Sequence, residues 1–542
     1  MNVWGGKMHF LRKFLCVLLT AVLLWAVPAA VLAVENEDYP AEEIFAQDSP
    51  EPDEPAPLIA KGGLILAPAE DVSKYPIVRF GGAMNTLYDG WDGDSNSNIV
   101  FQNNFMDFEN LWPLIKEGFL AFCRLDYDGV AKIVSDALWE HYGPVRMTNE
   151  GVSHNPNITI NMWDQYWHIR SDNIAYFCTD WREDPYDSAE ALYKYIEEGL
   201  RQTGAEKVNL MGVSGNGNTV LAYLDVYGTD QLASVFFNIS LHGGTSTYGG
   251  LATKKISLDA QAIGNISILK MDETFIDPDP VEWIVRGLFE SGFLSFWSKI
   301  FKFNYDRVKD KIYEDALVPL IFTMPHVWSY VPPHQYEEAK RLIFKGDPQY
   351  DVLIKKTDRY QDEIMPRQGE ILRKAASEIK VAVRAGYGLP LYGYVEGSAV
   401  HSDEKVDTQY ASFGATCAPL NKPFLNSYKQ KEPSEHNYIS PDRMIDASTC
   451  AIPELTWFGR NQPHRGAGEY EGWYSWFLST EGDYTVHGAP EKFGQWQDHR
   501  GDDVFIPLVA EPVSDVVGYL NLFALWIMKA WRFFLLLPLF WI

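Results

Sequence analysis

A short apolar strand, a glycine-rich turn and a helix-like stretch follow one another in residues 208–224. The turn holds Gly212, Ser214, Gly215 and Gly217. A sharp change from strand to helix crowds the backbone, and glycine relieves that crowding because it has no Cβ. Such a turn lifts one side chain above the edge of a sheet, close to the positive end of a helix dipole. The segment therefore predicts an α/β fold that presents Ser214 at the sheet edge.

Three interpretations compete for this turn. As a nucleophile elbow, G-x-S-x-G, it is complete except that Asn216 stands where the last glycine belongs, with Gly217 one place later. As a phosphate-binding loop, G-x-x-x-x-G-K-[ST], it has Asn218 in place of the lysine whose charge binds the phosphates. The third interpretation is a turn without chemistry. The serine elbow is favoured, because asparagine cannot replace that charge.

The first 58 residues have the composition of export and tether segments. Residues 1–33 combine a basic start, an apolar stretch and a small-residue stop at Ala33, which is typical of a secretory signal peptide. Residues 34–58 are acidic and rich in proline, which predicts a disordered tether. The chain is therefore expected to be secreted or held at the outer surface of the cell.

The other end of the chain, residues 513–542, is an apolar tail. Its run from 516 to 542 is interrupted only by Asn521, Lys529 and Arg532. A bilayer span needs about 20 apolar residues, and the cations divide the run. Three arrangements stay open: a membrane span, insertion in the plane of the membrane interface, and a buried terminal helix.

The overall charge argues against one class of partner. The formal net charge is −27, and no basic stripe is present that could neutralise phosphates. Nucleic acid is therefore not expected as a partner.

Four cysteines remain after the predicted signal peptide: Cys123, Cys178, Cys417 and Cys450. They allow three disulfide pairings, and buried free thiols are an equal alternative. Because so few cysteines serve so long a chain, the fold must depend on a hydrophobic core, which 46% hydrophobic residues can build.

Apolar runs alternate with helix-like stretches between the two ends. The runs that lead into glycine or aspartate occupy residues 76–80, 174–177, 208–211 and 235–241, and two further runs, taken as the last strands of the sheet, occupy 380–383 and 455–458. This alternation predicts a doubly wound, mostly parallel sheet whose ligands bind beyond the carboxyl ends of the strands. The α/β core is assigned to residues 59–253 and 380–512.

Residues 254–379 interrupt the strand pattern and are predicted to form a helical cap. Five apolar residues recur there at helical spacing: Phe289, Phe293, Phe296, Ile300 and Phe303. They predict one helix with an aromatic stripe, which is either the buried core of the cap or an apolar wall facing an active site. In the second case Phe289, Phe293 and Phe296 would line the site of an apolar substrate.

The loops after the late strands hold the candidates for an acid and a base. Asp403 follows the first of these strands, with Asp407 as the reserve choice and an ordinary polar turn as the alternative. His464 ends the loop after the second strand. His436, His487 and His499 also lie in the last third of the chain, but none of them directly follows an apolar strand. The chain order serine, aspartate, histidine is that of α/β-hydrolase triads.

Two backbone N–H groups complete the predicted site. Gly215 follows the serine, and Gly82 lies after the first strand, so their N–H groups could stabilise an oxyanion. No H-E-x-x-H motif and no pair of C-x-x-C motifs occurs in the sequence, which argues against a metal hydrolase. The predicted chemistry needs no cofactor and no metal.

Several segments, in the same order, resemble motifs of the lecithin:cholesterol acyltransferase-like branch of the α/β-hydrolases. They are residues 76–87, 180–182 (Asp-Trp-Arg), 210–218, 322–332, 402–406 and 462–464. In the elbow, Val213 stands where that family has histidine and Asn216 where it has glycine. The departures lie at the nucleophile, so they bear on activity rather than on the fold.

The resemblance implies a lipase-like α/β-hydrolase with a large helical cap and a triad of Ser214, Asp403 and His464. It also implies a small-molecule or lipid ester as substrate, with the acyl group passed to water or another acceptor. The long gap between Asp403 and His464 implies an insertion at about residues 417–450. A second hypothesis of a different class is a non-catalytic surface protein that keeps the fold and the cap to bind a lipid or a glycan.

Overall fold

The computed structural model of the chain describes about two thirds of its length. The described residues are 74–81, 85–92, 97–102, 114, 116–118, 120–122, 124–161, 167, 173–263, 293–420, 422–464, 472–500 and 504–510. The predicted signal peptide (1–33), tether (34–58) and tail (513–542) lie outside them. Within these ranges no helix has the length and apolar character that crossing a membrane requires.

The strands of the described chain form one large sheet and two small ones. In chain order they are β1 (Ile77–Phe80), β2 (Leu87–Asp89), β3 (Ile99–Phe101), β4 (Ile158–Thr159), β5 (Ile174–Phe177), β6 (Val208–Val213), β7 (Leu232–Asn238), β8 (Lys380–Tyr387), β9 (Thr416–Cys417), β10 (Ile445–Asp446), β11 (Thr456–Arg460), β12 (Trp496–His499) and β13 (Phe505–Pro507). The large sheet has the order β13-β12-β11-β8-β7-β6-β1-β5. Its described pairs are parallel except β12 with β13, so the predicted mostly parallel α/β sheet is confirmed.

Helices surround this sheet. In chain order the α-helices are α1 (Tyr127–Tyr142), α2 (Pro185–Thr203), α3 (Gly217–Tyr227), α4 (Ser246–Ala252), α5 (Phe293–Ile312), α6 (Val318–Leu320), α7 (Pro325–Ser329), α8 (Pro333–Phe344), α9 (Asp351–Arg359), α10 (Gln368–Glu378), α11 (Thr408–Ala411) and α12 (Trp473–Ser479). Two π-helical turns, Tyr313–Leu317 and Tyr360–Ile364, join helices of the segment between β7 and β8.

The helix α2 illustrates how local sequence signals set the boundaries of an element. Asp184 precedes it and accepts a hydrogen bond from the Tyr186 N–H, and Pro185 occupies the first turn, where its missing N–H costs nothing. Gly204 ends it in the left-handed conformation, at φ 69°. Its buried face packs against α3 and the sheet.

The sheet continues beyond the strand that the sequence suggested as its last. β12 and β13 extend it on the far side of β11, and β13 is antiparallel to β12. The expectation that residues 380–383 and 455–458 end the sheet was therefore wrong. The β12 sequence, Trp-Gln-Asp-His, has no apolar run that indicates a strand. Its polar side chains can be buried because they find partners: Asp498 accepts a hydrogen bond of 2.8 Å from Arg460.

A long helical excursion separates β7 from β8. Its helices α5 to α9 pack against α1 in one hydrophobic cluster, whereas its last helix, α10, packs with α2, α3 and the faces of β6 and β7 in another. Trp328 is fully buried in the first cluster and stacks on Phe344 at 4.8 Å between ring centroids. The aromatic residues of α5 to α9 thus contribute to a core that also holds Tyr387 of β8 and Phe458 of β11.

Two of the described cysteines, Cys417 and Cys450, carry free thiols, whereas Cys123 lies outside the described residues. Of the alternatives that the sequence left open, the structure has free thiols at these two positions, so the segment between them is not closed by a disulfide. Burial raises the pKa of Cys417 to about 12, which keeps that thiol protonated.

Candidate active site

The serine of the glycine-rich turn lies at the carboxyl end of β6. β6 ends at Val213, Ser214 opens a 3-10 turn that runs to Asn216, and α3 begins at Gly217. Ser214 has φ of 51°, which is the left-handed region that a residue with a Cβ seldom occupies. This strained backbone is typical of residues whose side chain is held for a task.

Gly217 permits a close approach between this turn and the chain after β7. A Cβ there would lie 2.1 Å from the Ser240 hydroxyl oxygen, so the start of α3 could not pack against the chain after β7. Gly217 itself has an ordinary φ of −62°. Asn216 also has ordinary angles, φ −85° and ψ −4°, so its position does not require glycine. The strain of the turn lies at Ser214 rather than at Asn216.

The histidine predicted as base lies directly beside this serine. His464 follows β11, and its Nε2 atom is 2.8 Å from Oγ of Ser214. The two residues are 250 positions apart in sequence, and their side chains are 0% and 1% exposed. The contact joins the ends of two strands that are separated in the sheet by β7 and β8.

The carboxylate predicted as acid lies on the other side of the imidazole. Oδ2 of Asp403 is 2.9 Å from Nδ1 of His464, while Oδ1 accepts the N–H groups of Lys405 and Val406 at 3.1 and 2.8 Å. Asp403 is fully buried. A carboxylate in this position accepts from Nδ1–H, which leaves Nε2 with its lone pair toward the hydroxyl of Ser214.

Asp407, the reserve choice for the acid, binds the start of a helix instead of the histidine. Asp407 accepts the N–H of Ser246 at 2.8 Å and the hydroxyls of Ser246 and Thr245 at 2.6 and 3.1 Å. These contacts place it at the start of α4, where a carboxylate satisfies N–H groups that have no partner within the helix. The structure therefore separates the two aspartates of this loop: Asp403 contacts the histidine and Asp407 caps a helix.

The predicted oxyanion donors are described only in part. Gly215 lies in the 3-10 turn directly after Ser214, and its carbonyl accepts the hydroxyl of Tyr330 at 3.3 Å. Gly82 lies outside the described residues. Gly81, the residue before it, accepts a hydrogen bond of 2.6 Å from the side-chain amide of Asn216.

A segment of the helical excursion packs directly on the elbow. Asn218 donates to Nε2 of His326 at 3.1 Å and also to the hydroxyl of Ser329. His326 Nδ1 lies 2.9 Å from the carbonyl oxygen of Glu183. Because burial removes hydration of the imidazolium, the pKa of His326 falls to about 4. Asn218, which the phosphate-loop interpretation placed at a ligand, thus points into the protein.

Two positions near the acid and base, Gly386 and Gln462, were not predicted as site residues. Gly386 of β8 leaves no room for a side chain, since a Cβ there would lie 2.7 Å from Cβ of Asp403 and 2.9 Å from the Gln462 carbonyl oxygen. Gln462 accepts from Nε of the fully buried Arg384 at 3.0 Å. Both contacts join β8 to the loops that carry Asp403 and His464, so no local pattern indicates them.

The structure describes the aromatic stripe only in part, so it does not test whether the stripe faces a substrate. Phe289 and the side chain of Phe293 lie outside the described residues, and Phe296 is 57% exposed on α5. The buried face of α5 consists instead of Phe301, Tyr305, Val308 and Ile312, which pack near α1. The interpretation of the stripe as buried core is wrong for Phe296 and Phe303, because the rotation of α5 is set by its contact with α1.

The other late histidines lie in different surroundings. The imidazole rings of His436 and His487 stack at 3.7 Å between centroids, and His487 Nε2 is 2.9 Å from the hydroxyl of Tyr438. His499 lies on β12 beside Phe505.

The predicted insertion builds one wall of a cavity of about 680 Å³. In this region β9 pairs with β10, and residues 413–420 face the loop that carries Asp407 and His401 across the cavity. Burial lowers the pKa of His401 to about 4. The residues lining this cavity do not include Ser214 or His464.

Comparisons with known proteins add little to this geometry. No family model matches the chain, and no curated protein matches it. A solved structure titled "The crystal structure of Tle4-Tli4 complex" contains a chain with 15% sequence identity and a TM-score of 0.18, over 33% of this chain and 48% of that chain. The match thus spans about half the length of the solved chain. At that TM-score it carries no argument, and the resemblance to the lecithin:cholesterol acyltransferase-like branch stays a prediction.

Proposed function

We propose that this chain is a serine hydrolase or acyltransferase built on an α/β-hydrolase core. One observation carries the proposal: Ser214, His464 and Asp403 form a continuous hydrogen-bonded series, with 2.8 Å from serine to imidazole and 2.9 Å from imidazole to carboxylate. The series has the chain order of α/β-hydrolase triads, and its serine lies in a strained turn between strand and helix.

The chemistry follows from the three side chains. Oγ of Ser214 attacks the carbonyl carbon of an ester, and its proton passes to Nε2 of His464. Asp403 stabilises the imidazolium that forms. Collapse of the tetrahedral intermediate breaks the ester bond, and His464 returns the proton to the departing alkoxide. Water or another hydroxyl compound then attacks the acyl-enzyme, His464 accepts its proton, and Ser214 is released with its own proton restored.

The negative charge of the tetrahedral intermediate needs donors that are already in place. The N–H of Gly215 is one candidate, since it belongs to the residue after the nucleophile. The N–H of Gly82 is the second, as the sequence predicts. Removal of one such donor typically lowers the rate by about 100- to 1000-fold.

The substrate class rests on sequence alone. The motif order of the lipase-like family favours an apolar or lipid-like ester. The predicted signal peptide and the apolar tail at 513–542 favour a secreted protein that associates with a membrane. The substrate class, secretion and membrane association are therefore proposed together with the activity.

A second candidate function is favoured by the burial of the site. Ser214 and His464 are 0% and 1% exposed, so an ester can reach them only if the covering residues move. A non-catalytic surface protein that binds a lipid or glycan on the same fold needs no such access. This candidate expects normal ligand binding and no esterase activity, with or without Ser214.

A fluorophosphonate probe separates the two candidates. The probe phosphonylates only a serine that a neighbouring base activates, so the proposal expects labelling of wild type and none of Ser214→Ala. Ser240→Ala is a matched control, because Ser240 is a second buried serine with a histidine partner, 2.6 Å from Nδ1 of His242. It is expected to leave labelling intact. A folded wild-type protein that the probe does not label would refute the hydrolase proposal.

A further inference from the structure

Asn216 connects the elbow to the chain that leaves β1. Its side-chain amide donates to the carbonyl of Gly81 at 2.6 Å, and the side chain is 5% exposed. β1 and β6 are parallel neighbours, with Phe80 opposite Gly212, so the two chain segments emerge side by side at the sheet edge. A hydrogen bond shielded from water in this way fixes their separation.

The backbone at this position does not explain the residue. Its φ of −85° and ψ of −4° are accessible to all residues with a side chain, so neither glycine nor asparagine is required for conformation. The contribution of Asn216 therefore lies in its side chain. A glycine here, as in the common G-x-S-x-G motif, would leave the carbonyl of Gly81 without this donor.

The proposed acyl transfer depends on the separation that this bond fixes. Its oxyanion donors come from two places, the elbow and the chain after β1, and a displacement of about 1 Å can cost about 100-fold in rate. We infer that Asn216 is a positioning residue that holds the chain after β1 at the correct distance from Ser214. This inference rests on the proposed hydrolase function.

The chain offers a matched control in β6, the strand that leads into the elbow. Asn209, at the start of β6, also donates its side-chain amide to a carbonyl beside β1, that of Tyr75 at 3.1 Å. It is 3% exposed, against 5% for Asn216. The two asparagines thus make the same kind of bond at opposite ends of the β1–β6 pair, each to a carbonyl just outside β1, and only Asn216 lies at the end with Ser214.

The test compares Asn216→Gly, Asn216→Asp and Asn209→Asp with wild type. Asn216→Gly restores the common motif but removes the donor, and Asn216→Asp keeps the shape while it sets a carboxylate against a carbonyl oxygen. The readouts are the rate of fluorophosphonate labelling, kcat and KM for p-nitrophenyl butyrate, and the thermal midpoint of unfolding. We expect kcat and labelling to fall about 10-fold in Asn216→Gly and about 100-fold in Asn216→Asp, with KM within about twofold of wild type.

The control separates a positioning role from a merely structural one. Asn209→Asp is expected to lower the thermal midpoint at least as much as Asn216→Asp and to leave kcat within about twofold of wild type. Equal labelling rates in wild type and both Asn216 variants would refute the inference alone. Losses of kcat that follow the thermal midpoint in all three variants would refute it as well, whereas an unlabelled wild type would overturn the proposed function and this inference with it.

Discussion

Nδ1 of His464 lies 2.9 Å from Oδ2 of Asp403, and both side chains are at most 1% exposed. Because a buried carboxylate has no water to bind, its remaining oxygen takes two backbone N–H groups, those of Lys405 and Val406. The acid is thereby fixed before any substrate arrives, and it fixes the orientation of the histidine in turn.

Replacement of this carboxylate by an amide is the most direct test of its role. We expect Asp403→Asn to lower kcat by about 1000- to 10,000-fold, because an amide donates toward Nδ1 and favours the wrong imidazole tautomer. The protein should stay folded, since the amide oxygen can still accept the two backbone N–H groups. Steady-state hydrolysis of p-nitrophenyl butyrate measures the change.

The reserve aspartate supplies the control for that variant. Asp407→Asn should keep kcat within a few-fold of wild type and lower the free energy of unfolding by about 1 kcal/mol, because it weakens the cap of α4. Urea titration measures that loss. The opposite result, a large loss of kcat in Asp407→Asn alone, would assign the acid role to Asp407.

Gly386 should be intolerant of a methyl group. The Cβ of Gly386→Ala would lie 2.7 Å from Cβ of Asp403 and 2.9 Å from the carbonyl oxygen of Gln462, so the loops of both the acid and the base must move. We expect a loss of about 1–3 kcal/mol of stability and a fall in labelling of at least about 10-fold. Gly482→Ala, where a Cβ meets open space, is the control. Wild-type labelling of Gly386→Ala would show that the triad does not depend on this contact.

The backbone strain at Ser214 predicts an unusual order of stabilities. At φ of 51°, glycine avoids the steric cost that any residue with a Cβ bears. We expect Ser214→Gly to be about 1 kcal/mol more stable than Ser214→Ala, with both variants inactive. Chemical denaturation of the two proteins measures the difference. If Ser214→Ala is the more stable variant, the turn does not store strain at this residue.

Buried His326 predicts a pH dependence of stability. Its pKa is about 4 when folded, against 6.5 as the ordinary value, because burial disfavours the imidazolium. Between pH 6.5 and 4 the unfolded chain binds a proton there that the folded protein does not, so the free energy of unfolding falls as the pH drops through this window. The effect on stability amounts to about 3 kcal/mol.

A variant without this titration isolates the contribution. His326→Gln should be less stable than wild type at pH 7 and should lose about 3 kcal/mol less between pH 6.5 and 4. Urea unfolding of both proteins at several pH values measures the two slopes. Equal slopes would mean that His326 binds protons alike in the folded and unfolded states, so that burial does not lower its pKa.

Local sequence was sufficient to predict strands whose apolar runs mark their own ends. The strand at 174–177 lies at its predicted bounds, and the strands at 76–80 and 208–211 lie within two residues of theirs, because apolar runs ended by glycine or aspartate need no distant partner to be recognised. β12 was missed because its polar residues become buried only through contacts such as Arg460 with Asp498. The rotation of α5 could not be read from its spacing, since both faces of that helix carry aromatic residues.

The sequence by itself determined the order of the candidate site: a serine in a glycine-rich turn, then an aspartate, then a histidine, each placed after a strand. Parallel strands end at one edge, so that order already implied proximity. Only the tertiary structure decided between Asp403 and Asp407, which are four residues apart in one loop, and placed the strain of the turn at Ser214. Those choices depend on where loops from distant strands meet, and no local pattern carries that information.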